Sequence, residues 1–230
     1  MTPTLLFVHG WAFDASVWTP LRAELGAWPQ AVADAGYFGA AQSPAAALSR
    51  GNHPAIDPAS RPVIAIGHSL GVLRLLQDLP AGCVGLVSIN GFPRFGAAPD
   101  FDAGVPRRML DRMIKRLSAD PVAVVQDFRE RCGDASAFGE PCLEPLARDL
   151  QALRDEDQRD ALAALPVPLL ILTGRDDPIV PAAMTQAAFG GRPGDERHDL
   201  ERGGHLLPVS AAPWCARHIA GFIERVGRAA

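Results

Sequence analysis

The sequence predicts an α/β domain with a mostly parallel sheet covered on both faces by helices. Three observations carry this. Short, continuously apolar runs of strand length alternate with stretches of helical periodicity, the pattern of βαβ units. One such strand, "RPVIAIGHS", runs into the helix "LGVLRLLQDLP" through a serine held between two glycines. Between "LVSIN" and "PLLIL", roughly 75 residues break the alternation with helices alone, the mark of a lid over a ligand site. At 230 residues the chain is long enough for one sizeable core.

The elements follow in order. "TLLFVHG" is a buried strand by length and content. "DASVWTPLRAEL" reads as a helix with Asp14 or Ser16 as N-cap and Val17, Leu21 and Leu25 at helical spacing. "QAVADAGYFGAAQS" is a second short strand running into a Gly-rich loop, and "RGNHPAIDPAS" is a polar, Pro-rich connection. The strand–serine–helix unit comes next, then the strand "CVGLVSING". The helical block reads "VPRRMLDRMIKRL", "DPVAVVQDFRERC" and "CLEPLARDLQALRDEDQRDALAAL". "VPLLILTG" is a strand, "DERHDLE" a last, more polar one. The tail "PVSAAPWCARHIAGFIERV" is an amphipathic helix starting near Pro208 or Pro213, with Trp214, Ile219 and Phe222 inward. The expected division is a core of residues 1–93 and 165–230 and a lid of residues 94–164.

Composition excludes several classes. A net charge of −4 argues against nucleic-acid binding, and no apolar run approaches the length of a membrane span. The start "MTPTLLFVHGW" lacks the basic region of a signal peptide, so a cytoplasmic protein is expected. Cys83, Cys132, Cys142 and Cys215 show no C-x-x-C pair, and no histidine stands at metal spacing; neither metal nor cofactor is expected. Cys83 and Cys215 read as core residues, and Cys132 and Cys142 could bridge only in an oxidising compartment.

The serine at 69 gains meaning from partners further on. A G-x-S-x-G turn lifts a hydroxyl clear of a sheet, but a nucleophilic serine also needs a histidine and a carboxylate that fixes the histidine's tautomer. Reactive groups in parallel sheets lie beyond the carboxyl ends of strands. "GRDDPIVP" offers Asp176 and Asp177 there, the spacing from Gly174 to Pro181 favouring Asp177, while "ERGGHLLP" offers His205. The order Ser69, Asp177, His205 suits a strand–elbow–helix hydrolase. His198 and His218 read as surface, packing or solvated residues, as does His53; His68 supports the elbow. An oxyanion needs two backbone N–H groups. Leu70 follows the nucleophile, and Trp11 in "HGW" follows the first strand.

With "HGW", "GHSLG", "GRDDPIVP" and "GGH" in order, the chain resembles the α/β-hydrolase superfamily over nearly its whole length. Within it, "SINGFPRF" and "ERGGHLLPVS" make it similar to the pimeloyl-[acyl-carrier protein] methyl ester esterases of biotin synthesis. The resemblance implies an α/β-hydrolase fold of about six strands, the family's N-terminal hairpin being absent, with a helical lid. It implies a serine carboxylesterase acting on pimeloyl-acyl-carrier protein methyl ester, without cofactor or metal, as a monomer. A general carboxylesterase or acyl thioesterase is the alternative, and a non-catalytic binding module of the same fold a third. The second strand's loop lacks the family's Pro-Gly. Phe128 matches a tunnel-lining aromatic, and the arginines that contact the carrier protein in some members are here Ala123 and Asp127. Trp11, Phe92, Phe128 and Met113 are expected to bind substrate, with Met109 and Phe95 as further tunnel candidates. From Gly104 to Gly133 seven basic residues face four acidic ones. Arg108, Arg112 and Lys115 there form a stripe suited to an acidic carrier protein, away from Met109, Met113 and Leu117.

Overall fold

The protein is described here by a computed structural model, which covers residues 2–50, 62–190 and 194–229. Six strands form one sheet: β1 (Thr4–Val8), β2 (Gln30–Ala33), β3 (Val63–His68), β4 (Cys83–Ile89), β5 (Leu169–Gly174) and β6 (Glu196–Leu200). Their order is β2-β1-β3-β4-β5-β6, and every neighbouring pair is parallel. The expectation of about six strands in a mostly parallel sheet holds.

Period-two alternation explains why the inner strands read as unbroken apolar runs, because both faces are buried. Leu5, Phe7, Ile64, Ile66, Val87, Ile89, Leu170 and Leu172 enter one core. Leu6, Ala65, Leu86 and Ile171 enter the other. The first core takes in Ile219 and Phe222 of the C-terminal helix α10 (Ala212–Ala229) together with leucines of the helical block. The second is covered by α3 (Leu70–Gln77), through Val72, Leu75 and Leu76, and by Phe189 of α8 (Ala182–Phe189). The edge strand β6 is polar because only one side of it meets neighbours.

Between β4 and β5 lie α4 (Arg107–Ala119), α5 (Pro121–Cys132), α6 (Leu143–Asp155) and α7 (Arg159–Ala163), with only isolated bridges among the described residues. The boundaries of α5 are written in its sequence. Asp120 caps it by accepting from the Ala123 amide, Pro121 follows, and Gly133 closes it at φ +91°. The third expected helix is two, α6 and α7, because Glu156 leaves the helical region with ψ 143°.

Other differences are local. Asp14, not Ser16, caps the first helical segment, which opens as a 3-10 turn over Ala15–Trp18 before α1 (Thr19–Glu24). The Ala-rich stretch after Ser43 forms α2 (Pro44–Arg50), which periodicity does not reveal. The tail divides into α9 (Leu207–Ser210) and α10, and Trp214 is only half-buried. Cys215 is buried as expected, whereas Cys83 is half-buried at the start of β4, and all four thiols are free. The Pro-rich connection with His53 lies outside the described residues. No described helix is long and apolar enough to cross a membrane.

Candidate active site

The turn from β3 to α3 holds Ser69 at φ 54°, ψ −122°, a conformation that costs about 1–3 kcal/mol and persists only when its surroundings impose it. The flanking glycines show what imposes it. A Cβ on Gly71 would lie 2.1 Å from the Val8 carbonyl oxygen, and one on Gly67 would lie 2.7 Å from the Val72 nitrogen. Bare backbone at both positions lets α3 lie against the end of β1 and thrusts Ser69 out at the tip. The Ser69 amide donates to the Ile89 carbonyl at 3.0 Å. Ala12, Ser69 and Asn90 are the positive-φ non-glycine residues among those described, all in turns just past strands β1, β3 and β4.

A second pair of glycines brings the later loops together. A Cβ on Gly174 would meet the Gly203 carbonyl oxygen at 2.1 Å, and one on Gly203 would meet the Gly174 Cα at 2.9 Å. With both bare, the loops after β5 and β6 touch, and Asp177 reaches His205. His205 Nδ1–H donates to Asp177 Oδ2 at 2.8 Å in a fully buried contact. Asp177 Oδ1 accepts from the Ile179 and Val180 amides at 2.7 and 2.9 Å, so the carboxylate cannot rotate without losing three bonds. Asp176 is exposed. His205 Nε2 is buried without a hydrogen-bond partner among the described residues, and Ser69 Oγ makes no hydrogen bond to it. Such contacts are often loose without substrate and tighten when it binds.

His68 is fully buried beside this pair. Its Nε2 bonds the His205 carbonyl oxygen at 2.9 Å, and the two rings are 4.7 Å apart. Burial, and then the neighbouring His205, hold its pKa well below the usual histidine range, so it stays a neutral donor. On the other side, His9 Nδ1 bonds the Gly10 carbonyl at 2.9 Å while its Nε2 accepts from the Ala35 amide at 3.0 Å. That fixes the loop carrying Trp11. Trp11 and Leu70 are both buried, and among the described residues neither backbone amide is engaged outside the helix ladders.

One residue escaped the sequence reading. Asn90, buried at the end of β4, donates from Nδ2 to the carbonyls of Gly204 and His205 at 2.9 and 2.8 Å. Its Oδ1 accepts from the Gly174 amide at 2.8 Å. A single side chain thus ties β4, the end of β5 and the histidine loop. The available signal was an Asn-Gly pair at a strand end, since asparagine tolerates positive φ.

A cavity of about 280 Å³ lies under the helical block, lined by Trp11, Phe95, Met109, Met113 and Phe128 among others. Trp11 anchors it: its indole donates to the Leu146 carbonyl at 2.9 Å and meets Phe128 edge-on at 5.0 Å. Phe92 does not line it, because its ring packs behind Phe95 at 4.8 Å in the core. Met109 is exposed, so the inward face of α4 is Leu110, Met113 and Leu117 instead. A further hollow of about 530 Å³ reaches Gly204 and Leu206 on either side of His205.

Arg108, Arg112 and Lys115 are exposed on α4, and none has an ion-pair partner among the described residues. Their basic neighbours do not add to the stripe: Arg107 pairs with Asp155 and Arg116 with Asp127. Arg129 turns inward to Asp134 at 2.6 Å, with its guanidinium among the rings of Phe13, Phe38 and Phe138.

Comparison with known proteins agrees with this architecture. The chain is 30% identical to a pimeloyl-[acyl-carrier protein] methyl ester esterase of Xanthomonas oryzae pv. oryzae, covering 97% of this chain and 96% of that one. The protein of the same name from Xanthomonas axonopodis pv. citri is also 30% identical, with the same coverage. An esterase structure from Exiguobacterium antarcticum superposes with a TM-score of 0.78 at 18% identity, over 96% of this chain and 92% of that one, a likeness of fold. Residues 5–217, which hold all six strands (but for the first residue of β1), the glycine-flanked serine and the paired aspartate and histidine, match the Alpha/beta hydrolase family, and the chain belongs to that family.

Proposed function

We propose that this protein is a serine carboxylesterase that removes the methyl group from pimeloyl-acyl-carrier protein methyl ester, releasing methanol and the free carboxylate. The observation that carries the chemistry is the buried 2.8 Å bond between His205 Nδ1 and Asp177 beside a serine held in a tight elbow. With Nδ1–H committed to the carboxylate, Nε2 is the basic nitrogen. It takes the proton of Ser69 Oγ as that oxygen attacks the ester carbonyl. The Trp11 and Leu70 amides hold the oxyanion, removal of one such donor typically costing about 10²–10³ in kcat. On collapse, the C–OCH₃ bond breaks and the proton on Nε2 passes to departing methanol. Water then repeats the cycle on the acyl-enzyme, and Ser69 recovers its proton.

The substrate rests on the relatives' name together with the cavity and the stripe. Trp11, Met113 and Phe128 bound an apolar space for a methylene chain. Arg108, Arg112 and Lys115 offer unpaired positive charge beside it for an acidic carrier protein. The reading carries a cytoplasmic monomer with it.

The test compares hydrolysis of pimeloyl-carrier-protein methyl ester with free dimethyl pimelate, using wild type, Ser69→Ala and a triple Arg108, Arg112, Lys115→Glu variant. The expected result is strong preference for the carrier-bound ester, an inactive alanine variant and a triple variant impaired on the carrier-bound ester alone. Equal, poor cleavage of both esters would show the substrate assignment wrong. Undiminished activity in Ser69→Ala would show the mechanism wrong.

A further inference from the structure

The edge of the sheet away from β2 carries a group of side chains that ester hydrolysis does not use. Glu196 and His198 alternate along β6 and so project from one face of it, as does Leu200, which packs into the core shared with α10. Opposite them, Trp214, His218 and Arg225 recur along α10 at spacings of four and seven, one helical stripe. The two rows meet in register. Glu196 pairs with Arg225. His198 stacks on His218 with centroids 3.9 Å apart and planes 25° from parallel. Trp214 closes the end of the row, 4.7 Å from the His218 ring.

We propose that Glu196, His198 and His218 form a binding site for a borderline divalent transition-metal ion such as zinc, which clips the edge strand to the C-terminal helix. Each residue offers one ligand atom, and the three atoms lie within 4.8 Å of one another. Ligands on one tetrahedral ion at bond lengths of about 2.0–2.2 Å stand about 3.3 Å apart. His198 Nε2 and Glu196 Oε1 are 2.7 Å apart, but the two imidazoles now stack with planes 25° from parallel, so their in-plane lone pairs do not yet converge on one point. One ring must turn out of the stack about χ2, a soft torsion for a half-buried histidine, before both nitrogens reach the ion. The ion takes the place of the hydrogen between His198 Nε2 and Glu196, and His198 ligates as a neutral imidazole with its proton on Nδ1.

The donor set chooses the ion. Two imidazoles and one carboxylate suit zinc, cobalt, nickel or copper, whereas magnesium and calcium prefer oxygen donors throughout. Arg225 and, next to His218 on α10, Arg217 are cations that oppose a metal here. Arg225 bonds Glu196 through Oε2, leaving Oε1 toward the histidines, and so also orients the ligating carboxylate as outer-shell partners do. Arg197 points to the other face of the strand, where Asp199 neutralises it. All three ligands are half-buried, which leaves a route for the ion and a fourth position for water.

The test is titration of the full chain with cobalt chloride, followed by visible absorption, with zinc chloride as competitor. One equivalent should bind without thiolate-to-cobalt charge-transfer absorption. His198→Asn and His218→Gln, on separate elements and outside the ester-cleaving site, should each weaken binding at least about tenfold. Zinc at about 100 times its Kd should raise Tm by about 5–10 °C in the wild type. That rise should be absent from both variants, whose retained ester hydrolysis reports folding. No binding, equal binding in both variants, or a thiolate signature would overturn the proposal.

Discussion

Asn90 makes the sharpest test of how the site is held. Its side chain supplies three hydrogen bonds, two to carbonyls of the histidine loop and one from the Gly174 amide ahead of Asp177. In Asn90→Ala the His205 carbonyl keeps its bond from His68, but the Gly204 carbonyl and the Gly174 amide lose the partner Asn90 gave them. The buried Gly174 amide left unsatisfied costs about 1–3 kcal/mol, whereas the half-buried Gly204 carbonyl, which borders the larger hollow, can turn to water, so the loss is about 1–3 kcal/mol. Alanine at φ +46° adds about 1 kcal/mol of backbone strain. Asn90→Gly removes the same bonds without that strain, and Asn90→Asp keeps the shape and the acceptor while replacing a donor with an oxygen aimed at two carbonyls. Urea unfolding measures stability, and steady-state hydrolysis of a short-chain nitrophenyl ester measures catalysis. Displacing His205 by about 1 Å should lower kcat about 10²-fold with little change in KM. The aspartate variant should be as impaired as alanine, and glycine should recover only the strain. A kcat for Asn90→Asp within about twofold of wild type, or an effect confined to KM, would refute the positioning argument.

Other predictions follow from single contacts. Gly71→Ala should fail to fold or lose more than about 3 kcal/mol, because its Cβ meets the Val8 backbone; Gly204→Ala, with nothing within 4 Å of its Cβ, should fold normally, and soluble yield with urea melts distinguishes them. Asp149→Asn should cost about 3 kcal/mol in urea melts, toward the lower end for a broken buried pair because Arg74 and Arg148 stay partly exposed. Acid should destabilise the chain in a defined window. Asp157, drawn down to about 2 first by its bond from Arg159, titrates below its ordinary value of about 3.9. A depressed carboxylate stabilises the fold fully above the unfolded value and ceases to as pH falls through the folded one, so urea midpoints should drop between about pH 5 and pH 2, less steeply in Asp157→Asn.

What could be read from the sequence divides along a physical line. Strands buried on both faces announce themselves as apolar runs, and α5 carries its own cap, proline and terminal glycine. The pairing of Asp177 with His205 was legible because each follows a strand end, and chain order says which ends converge. Contacts made across the fold were not. Asn90 meets partners 84 to 115 residues away, and nothing local distinguishes it from an ordinary turn asparagine. Phe92 and Phe95 are alike in sequence, and only packing decides which of them faces the cavity. Arg129 counts as surface charge until three phenylalanines from separate segments close around it. Glu196, His198 and His218 follow the same rule, since the helix supplying the third ligand must dock before they form a group.

The helices over the cavity are fastened unevenly, and this bears on how a substrate enters. α6 is bound to α3, the helix that follows Ser69, through buried charge. Arg74 of α3 reaches Asp149 at 2.7 Å and Glu156 at 2.9 Å, and Tyr37 donates to the same Asp149 at 2.6 Å. Lifting α6 would strand a buried carboxylate and disturb the helix that begins at Leu70. α5 is held by the caged Arg129. α4 is held by apolar packing instead, through Leu110, Leu117, Met113 and Ile114, with no buried charge; its pairs Arg107–Asp155 and Arg154–Asp111 lie at the surface and contribute little in water. Its exposed Met109 also lines the cavity. Under the proposed function, an acyl chain would enter beside α4, where the exposed Met109 borders the cavity on the helix that presents Arg108, Arg112 and Lys115. The basic stripe and an exposed edge of the cavity thus lie on one element, so the docking required by the proposed function would not disturb the contacts that hold Ser69, Asp177 and His205 in place.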